Sequence, residues 1–290
     1  MHAHLNGLKT AALLGLLSAI ILLVGAQFGS GGLLVALLVA LGVNGWSWFH
    51  SDTLALRSMR AYPVSQVQAP QLYAVVGALA SSMRMPMPRV YVSPEASPNA
   101  FATGRSPRHA AVCATEGLLR LLNRNEVAGV MAHELAHVKH RDILIQSVAA
   151  TVGGAISYLG YMFMFGGGSS SDDDGESSHP LAGLLVLLLG PLAAGVIQMA
   201  ISRSREYNAD TAGAEICGNP MYLASALEKI HAYAHQIPMN VNPAFNSLMI
   251  AEPRNVMGTV AGLFQTHPPL EKRLMNLIGR ETTGMYRYAA

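Results

Sequence analysis

The chain has 290 residues, of which 51% are hydrophobic and only 12% charged, and its formal net charge is +2. A soluble domain carries about 25% charged residues, so the composition excludes a disordered chain, a collagen-like chain and a simple soluble enzyme, and the small net charge gives no footprint for nucleic acid. The missing charge is confined to residues 10–51, 143–171 and 177–202, which contain no Asp, Glu, Lys or Arg; this is the pattern of a membrane protein with a water-exposed domain.

A membrane-spanning helix needs about 20 mainly apolar residues. Residues 10–28 supply the first run, Gly29-Ser30-Gly31-Gly32 reads as a break, and residues 33–49 supply the second, ending in the interface-favouring Trp46 and Trp48. Residues 1–50 therefore read as a transmembrane hairpin. A cleaved signal peptide with Lys9 as its basic flank is disfavoured because a second apolar run follows at once. Residues 51–142 then read as the first half of a water-exposed domain. Short β-rich runs at residues 89–93, 100–103 and 110–114, separated by Pro, Ser, Gly and Arg turns, suit a small sheet. Cys113 and Cys217 are too few and too distant for a disulfide framework and read as reduced thiols.

His133-Glu134-Leu135-Ala136-His137 is an HExxH sequence. Asn123 with Glu126 three residues later forms a capping-box pattern, and Val127, Val130, Met131, Leu135 and Val138 follow at helical spacing, so the motif lies inside a helix. Residues four apart share a helix face, which lets two imidazoles reach one zinc while the adjacent carboxylate takes a proton from water. His140 shares that face, but a rise of about 1.5 Å per residue puts its backbone roughly 10 Å from that of His133, too far for bonds of about 2.1 Å to one ion. The longer metzincin pattern fails because positions 140 and 143 are His and Ile. A second helix must supply the third ligand.

Residues 143–165 and 180–201 form the third and fourth apolar runs, with Pro191 expected to kink the fourth. The link at 166–179 holds Asp172, Asp173, Asp174 and Glu176 and no basic residue, whereas all 19 Lys and Arg lie in residues 1–9, 51–142 and 202–290. The excess of basic residues on the cytoplasmic side of membrane proteins then predicts four spans, both termini and the working domain in the cytoplasm, and an acidic outer link. The working domain is thus split, with residues 202–290 as its second half. Only five residues separate His137 from the third run, so the metal is expected within roughly 10 Å of the bilayer surface. A helix from about residue 202 to 214 carries Glu206 and Asp210 on one face. Spacing alone leaves Glu206 open between a third metal ligand and a plain charged surface.

Four segments, in order, resemble one family: HExxH, Asn99-Ala100-Phe101-Ala102-Thr103-Gly104, Ser202-Arg203-Ser204-Arg205-Glu206-Tyr207-Asn208-Ala209-Asp210, and Thr266-His267-Pro268-Pro269 with Arg273 beyond. They resemble the membrane-integrated zinc metallopeptidases of the HtpX and CAAX-prenyl protease family, and the likeness covers nearly the whole chain. The resemblance implies a mainly α fold with a small β-sheet: four transmembrane helices and a split, zincin-like (gluzincin) cytoplasmic catalytic domain. It implies one Zn²⁺ per chain on His133, His137 and Glu206, Glu134 as general base, and Asp210 orienting a ligand histidine. Asn99, Ala100, Phe101 and Ala102 become the edge on which an extended substrate lies, adding to the sheet by backbone hydrogen bonds. His267, and next to it in rank Arg273, become the downstream groups for the oxyanion. The implied activity is endopeptidase cleavage of misfolded or damaged membrane proteins at a bacterial inner membrane. The CAAX type would share every catalytic residue, but four spans rather than a larger chamber favour the quality-control type. A transporter would need ionisable residues within the spans, and no Asp, Glu, Lys or Arg is there. A purely structural zinc site would have no use for Glu134.

Overall fold

The computed structural model describes residues 2–26, 29–153, 203–234, 236–237, 248–250 and 268–279. The expected outer link, most of the third span, the fourth span and His267 lie outside the described residues.

Two long helices open the chain, α1 (His2–Ala26) and α2 (Gly29–Ser58). They form an antiparallel pair, with the Asn44 side-chain amide donating to Ser18 Oγ at 2.7 Å. Gly29-Ser30-Gly31-Gly32, expected as the break, is the first turn of α2. The two helices pack closely there: a Cβ on Gly25 would run into Ala36 and lie 2.8 Å from the Gly32 carbonyl oxygen. Small residues let membrane helices approach, so Gly25 and Gly32 stand at the close contact of the two helices, whereas Gly29 takes a left-handed φ of +74° at the first residue of α2. Among the described residues, Gly29–Ser58 is the one helix long and apolar enough to cross a membrane. Leu34, Leu38, Leu41, Trp46 and Phe49 on it are exposed.

The end of α2 runs past the expected span into the rest of the protein. Ala55 and Leu56, with the following Met59, pack in one cluster with Phe101, Ala111 and Cys113. Arg89 pairs with Asp52, and the Arg105 guanidinium sits 5.1 Å from the Phe49 ring centre. The apolar hairpin and the sheet are thereby joined through one rigid helix.

The sheet has four strands: β1 (Tyr62–Pro63), β2 (Arg89–Ser93), β3 (Ala100–Gly104) and β4 (Ala110–Thr115). Their spatial order is β1-β2-β4-β3, with β2 and β4 parallel and the other two pairs antiparallel. In β3, Ala100 faces Ala114 and Ala102 faces Val112. β3 is an edge strand, yet all five of its residues are buried. Phe101 points to the α2 cluster, while Ala100 and Ala102 join the main core, which also takes Val76 of α3 (Pro70–Ser82), Leu118 of α4 (Glu116–Leu121) and residues of the helices that follow.

Helix α5 (Arg124–Lys139) passes through the middle of that core, buried almost without interruption from Glu126 to Val138. Its start is fixed by the expected capping box: Asn123 Oδ1 accepts from the Glu126 N–H at 3.0 Å, and Glu126 Oε2 accepts from the Asn123 N–H at 2.9 Å. Helix α6 is described over Ile143–Gly153. Helices α7 (Arg203–Cys217), α8 (Pro220–Ala234) and α9 (Leu270–Ile278) complete the described structure. Elements on both sides of residues 154–202 therefore pack around one core, which holds Val130 and Leu135 of α5 together with Leu223 and Ile230 of α8. Cys113 is buried, Cys217 half-buried, and both are free thiols.

Candidate metal centre

Helix α7 lies antiparallel to α5, and glycine sets the distance. A Cβ on Gly213 would be 3.0 Å from the His133 backbone nitrogen. Glu206, Asp210 and Gly213 share one face of α7, so the close approach at Gly213 presses both carboxylates onto the HExxH turn.

His133, His137 and Glu206 are all buried and offer ligand atoms within 4.8 Å of one another. His137 Nε2 is 3.4 Å from Glu206 Oε1, and His133 Nε2 is 3.8 Å from Glu206 Oε2. The far side of each imidazole is also held. His133 Nδ1 lies 2.9 Å from Asp210 Oδ1, and His137 Nδ1 lies 3.2 Å from Asp142 Oδ2. A carboxylate at Nδ1 accepts an N–H there, which leaves the Nε2 lone pair directed into the pocket. The rings meet edge to face at 88° with centroids 4.8 Å apart. Two ligand atoms on a tetrahedral ion with bonds of about 2.1 Å stand roughly 3.4 Å apart, which is the scale of the observed spacing.

The charges of the pocket point the same way. Glu134, Asp142, Glu206 and Asp210 are buried beside Arg205 and Arg273, so with neutral imidazoles four carboxylates face two guanidinium groups. Burial, with help from Arg273 and His137, pushes His133 down to about 4 against the pull of Asp210. For His137 burial works downward, but Glu206, Asp142 and Glu134 outweigh it and raise the ring to about 9. Glu134 is pushed up to about 8, by burial first and then by Glu206, while His137, the Ala102 N–H and Arg273 pull downward. The pocket has surplus negative charge that attracts protons, and a divalent cation would satisfy it while taking up the two lone pairs. The donor set therefore fits zinc.

A model of peptidase family M48 matches residues 66–281. The chain belongs to that family. Protease HtpX homologs from Burkholderia thailandensis and Burkholderia mallei are each 49% identical to it over 285 residues, spanning 97% of this chain and 99% of theirs. The crystal structure of Ste24p from S. mikatae aligns with 19% identity and a TM-score of 0.49, covering 95% of this chain and 65% of that one. As a member of family M48 the chain is a metalloprotease.

Within this M48 chain, His133, Glu134, His137, Glu206, Asp210 and Arg273 lie together among the described residues, while His267 falls outside them. Glu134 accepts a hydrogen bond from the Ala102 backbone N–H, so the outer edge of β3 lies beside it. Asp210 backs His133, and Arg273 grips Asp210 at both oxygens: Nε donates to Oδ2 at 2.9 Å and Nη2 to Oδ1 at 2.6 Å. Arg273 Nη1 also donates to the Ile250 carbonyl at 3.1 Å, and the Ile250 N–H donates to the Ala100 carbonyl at 3.0 Å. One buried guanidinium thus connects the His133 support to β3. Asn99 is wholly buried, its amide lying 3.4 Å from Met249 Sδ and its Oδ1 accepting from the Ala100 N–H. His140 is the exposed C-cap of α5 and stands outside the cluster. Sequence reasoning missed two participants, Asp142 and the Ala102 N–H. Asp142 had one available signal, a carboxylate five residues after the second histidine of the motif.

Proposed function

We propose that the chain is a membrane-bound zinc endopeptidase that cleaves misfolded or damaged membrane proteins. The observation that carries this reading is the convergence of both Nε2 atoms on Glu206 while a carboxylate holds each Nδ1 from behind. His133, His137 and Glu206 would hold one Zn²⁺. When bound, zinc supplies Lewis acidity, lowering the pKa of water towards neutrality and polarising the scissile carbonyl. Glu134, oriented by the Ala102 N–H, accepts the proton as the water oxygen adds to the carbonyl carbon. It then passes that proton to the amide nitrogen as the C–N bond breaks. Asp210, clamped by Arg273, keeps His133 in the tautomer whose lone pair faces the pocket. His267 donates to the oxyanion.

An extended substrate adds beside β3 at Asn99–Ala102, with Phe101 fixing the strand from within; because the Ala100 carbonyl already accepts from the Ile250 N–H and the Ala102 N–H already donates to Glu134, it displaces those bonds to do so. Four spans place residues 166–179 outside, and both termini and the split catalytic domain (residues 51–142 and 202–290) in the cytoplasm of a bacterial inner membrane. Support for that arrangement comes from the distribution of charge in the sequence and from the α1–α2 hairpin, whose second helix runs directly into the core around β3. The test is to incubate purified, metal-loaded protein with an unfolded membrane protein, with Glu134→Gln alongside. Cleavage by the parent protein, stopped by a chelator, and a folded, zinc-loaded but inert Glu134→Gln are expected. Retained cleavage by that variant contradicts the mechanism.

A further inference from the structure

We propose that Asp142 is the positioning residue for His137: its carboxylate, delivered by the turn that ends α5, fixes the ring that faces the metal pocket. The proposal rests on the zinc reading above. It begins with the backbone. After the C-cap His140, Arg141 takes a left-handed conformation with φ of +61°. The Asp142 N–H donates to the His137 carbonyl at 2.9 Å, and the Arg141 N–H to the Val138 carbonyl at 3.1 Å. Those two bonds and the left-handed residue define a Schellman motif, in which the side chain at the Asp142 position folds back over the one at the His137 position. That contact is usually apolar. Here it is a carboxylate on an imidazole, with Oδ2 3.2 Å from Nδ1.

Asp142 is 1% exposed, and a buried carboxylate is costly unless it is paired. Its other oxygen is 3.7 Å from Arg205 Nη1, and Arg205 directly precedes Glu206. The one carboxylate therefore touches a ligand histidine on α5 and the neighbour of the ligand glutamate on α7. It is also the last charged residue before the apolar run at 143–171, and Arg205 lies just after the run at 177–202. The pair joins the chain on either side of that long insertion, at the metal pocket. With Asp210 on His133, each histidine has its own carboxylate partner, an arrangement that sets the tautomer and raises ligand basicity.

The competing explanation is that Asp142 only stops the helix. Asp142→Leu separates the two, because leucine restores the usual apolar contact of the motif but cannot hold the imidazole. Zinc affinity of the full-length protein in detergent is measured by competition with a chelator, and metal-free unfolding is followed in the same preparations. Asp142→Leu is expected to stay folded without metal, at a lower melting temperature because the buried Arg205 loses a carboxylate partner, and to bind zinc roughly 10- to 100-fold more weakly. Asp142→Asn, whose side-chain oxygen still accepts the Nδ1 hydrogen, is expected to lose only several-fold and so to rescue part of the affinity. Parental affinity in Asp142→Leu overturns the proposal. Should that variant fail to fold, the near-isosteric Asp142→Asn decides, and unchanged affinity there overturns it equally. His137→Ala serves as the control. If the parent binds no zinc, or His137→Ala binds as the parent does, the zinc reading itself fails. If the parent binds through His137 and the Asp142 variants match it, only the present proposal fails.

Discussion

Gly213→Ala is expected to weaken zinc binding without touching a ligand. The added Cβ would lie 3.0 Å from the His133 nitrogen, 3.3 Å from its Cα and 3.4 Å from the Ala132 carbonyl carbon. All three are backbone atoms of a buried helix, so no side chain can swing aside. Relaxed contacts between non-bonded heavy atoms start near 3.5 Å, which requires α7 and α5 to separate by about 0.5 Å. Metal–ligand distances tolerate only about 0.2 Å, and Glu206 rides on the displaced helix. The helix itself gains about 1 kcal/mol when Gly becomes Ala, against about 1–3 kcal/mol for overpacking. A net loss of about 1 kcal/mol is expected, with zinc affinity down by about tenfold. The matched control is Gly77→Ala in α3, where the Cβ meets only Met87 Sδ at 3.8 Å and a gain of about 0.5–1 kcal/mol follows from propensity alone. Denaturant unfolding of the metal-free proteins and chelator competition read both effects. If Gly213→Ala is stabilised as much as Gly77→Ala and binds zinc as tightly as the parent, the close approach at Gly213 does not set the ligand geometry.

Arg141→Gly should stabilise the protein by about 1 kcal/mol, because glycine adopts the left-handed conformation without the cost borne by other residues; a loss in unfolding experiments would contradict the reading of that turn. The Glu126 carboxylate is held below its ordinary range: burial opposes this, and Lys229, Ser225 and the Asn123 N–H outweigh it. With its folded pKa depressed, its contribution is full above the ordinary value of about 4.3 and is lost as pH falls through the folded one. Lys229→Met should therefore lower the melting temperature clearly near neutral pH and much less in acid; an equal penalty in both would count against the ion pair. A cysteine in place of Ser170, in a background lacking Cys113 and Cys217, should react with an impermeant maleimide applied to intact cells. Labelling only after lysis would invert the proposed topology.

The parts of the site legible in the sequence were those written within one helix. HExxH and its capping box depend on spacings of three and four residues, which a helix converts directly into shared faces; the same spacing put Glu206 and Asp210 on one face, but only the family resemblance made Glu206 a ligand rather than part of a charged surface. The three longer strands were legible from their β-rich runs, whereas β1, with two residues, carries no periodic signal. The glycine-rich start of α2 reads in the sequence as a four-residue break, whereas the helix already begins at Gly29, whose left-handed φ of +74° is the one turn feature that the tetrapeptide keeps. Asp142 was hidden for a different reason. Its role depends on a left-handed residue, and the sequence offers Arg141 there rather than the glycine that would announce a Schellman turn. The Ala102 N–H is backbone, and no side-chain pattern encodes its aim at Glu134.

Zinc-edge X-ray absorption on the purified full-length chain, with metal analysis of Glu206→Ala beside it, tests most directly whether His133, His137 and Glu206 hold the metal. One zinc per chain in a shell of two imidazoles and oxygen at about 2.0–2.1 Å, with occupancy sharply reduced in Glu206→Ala, is the predicted result. Sulfur scattering from a cysteine ligand, or full zinc occupancy in Glu206→Ala, would contradict it.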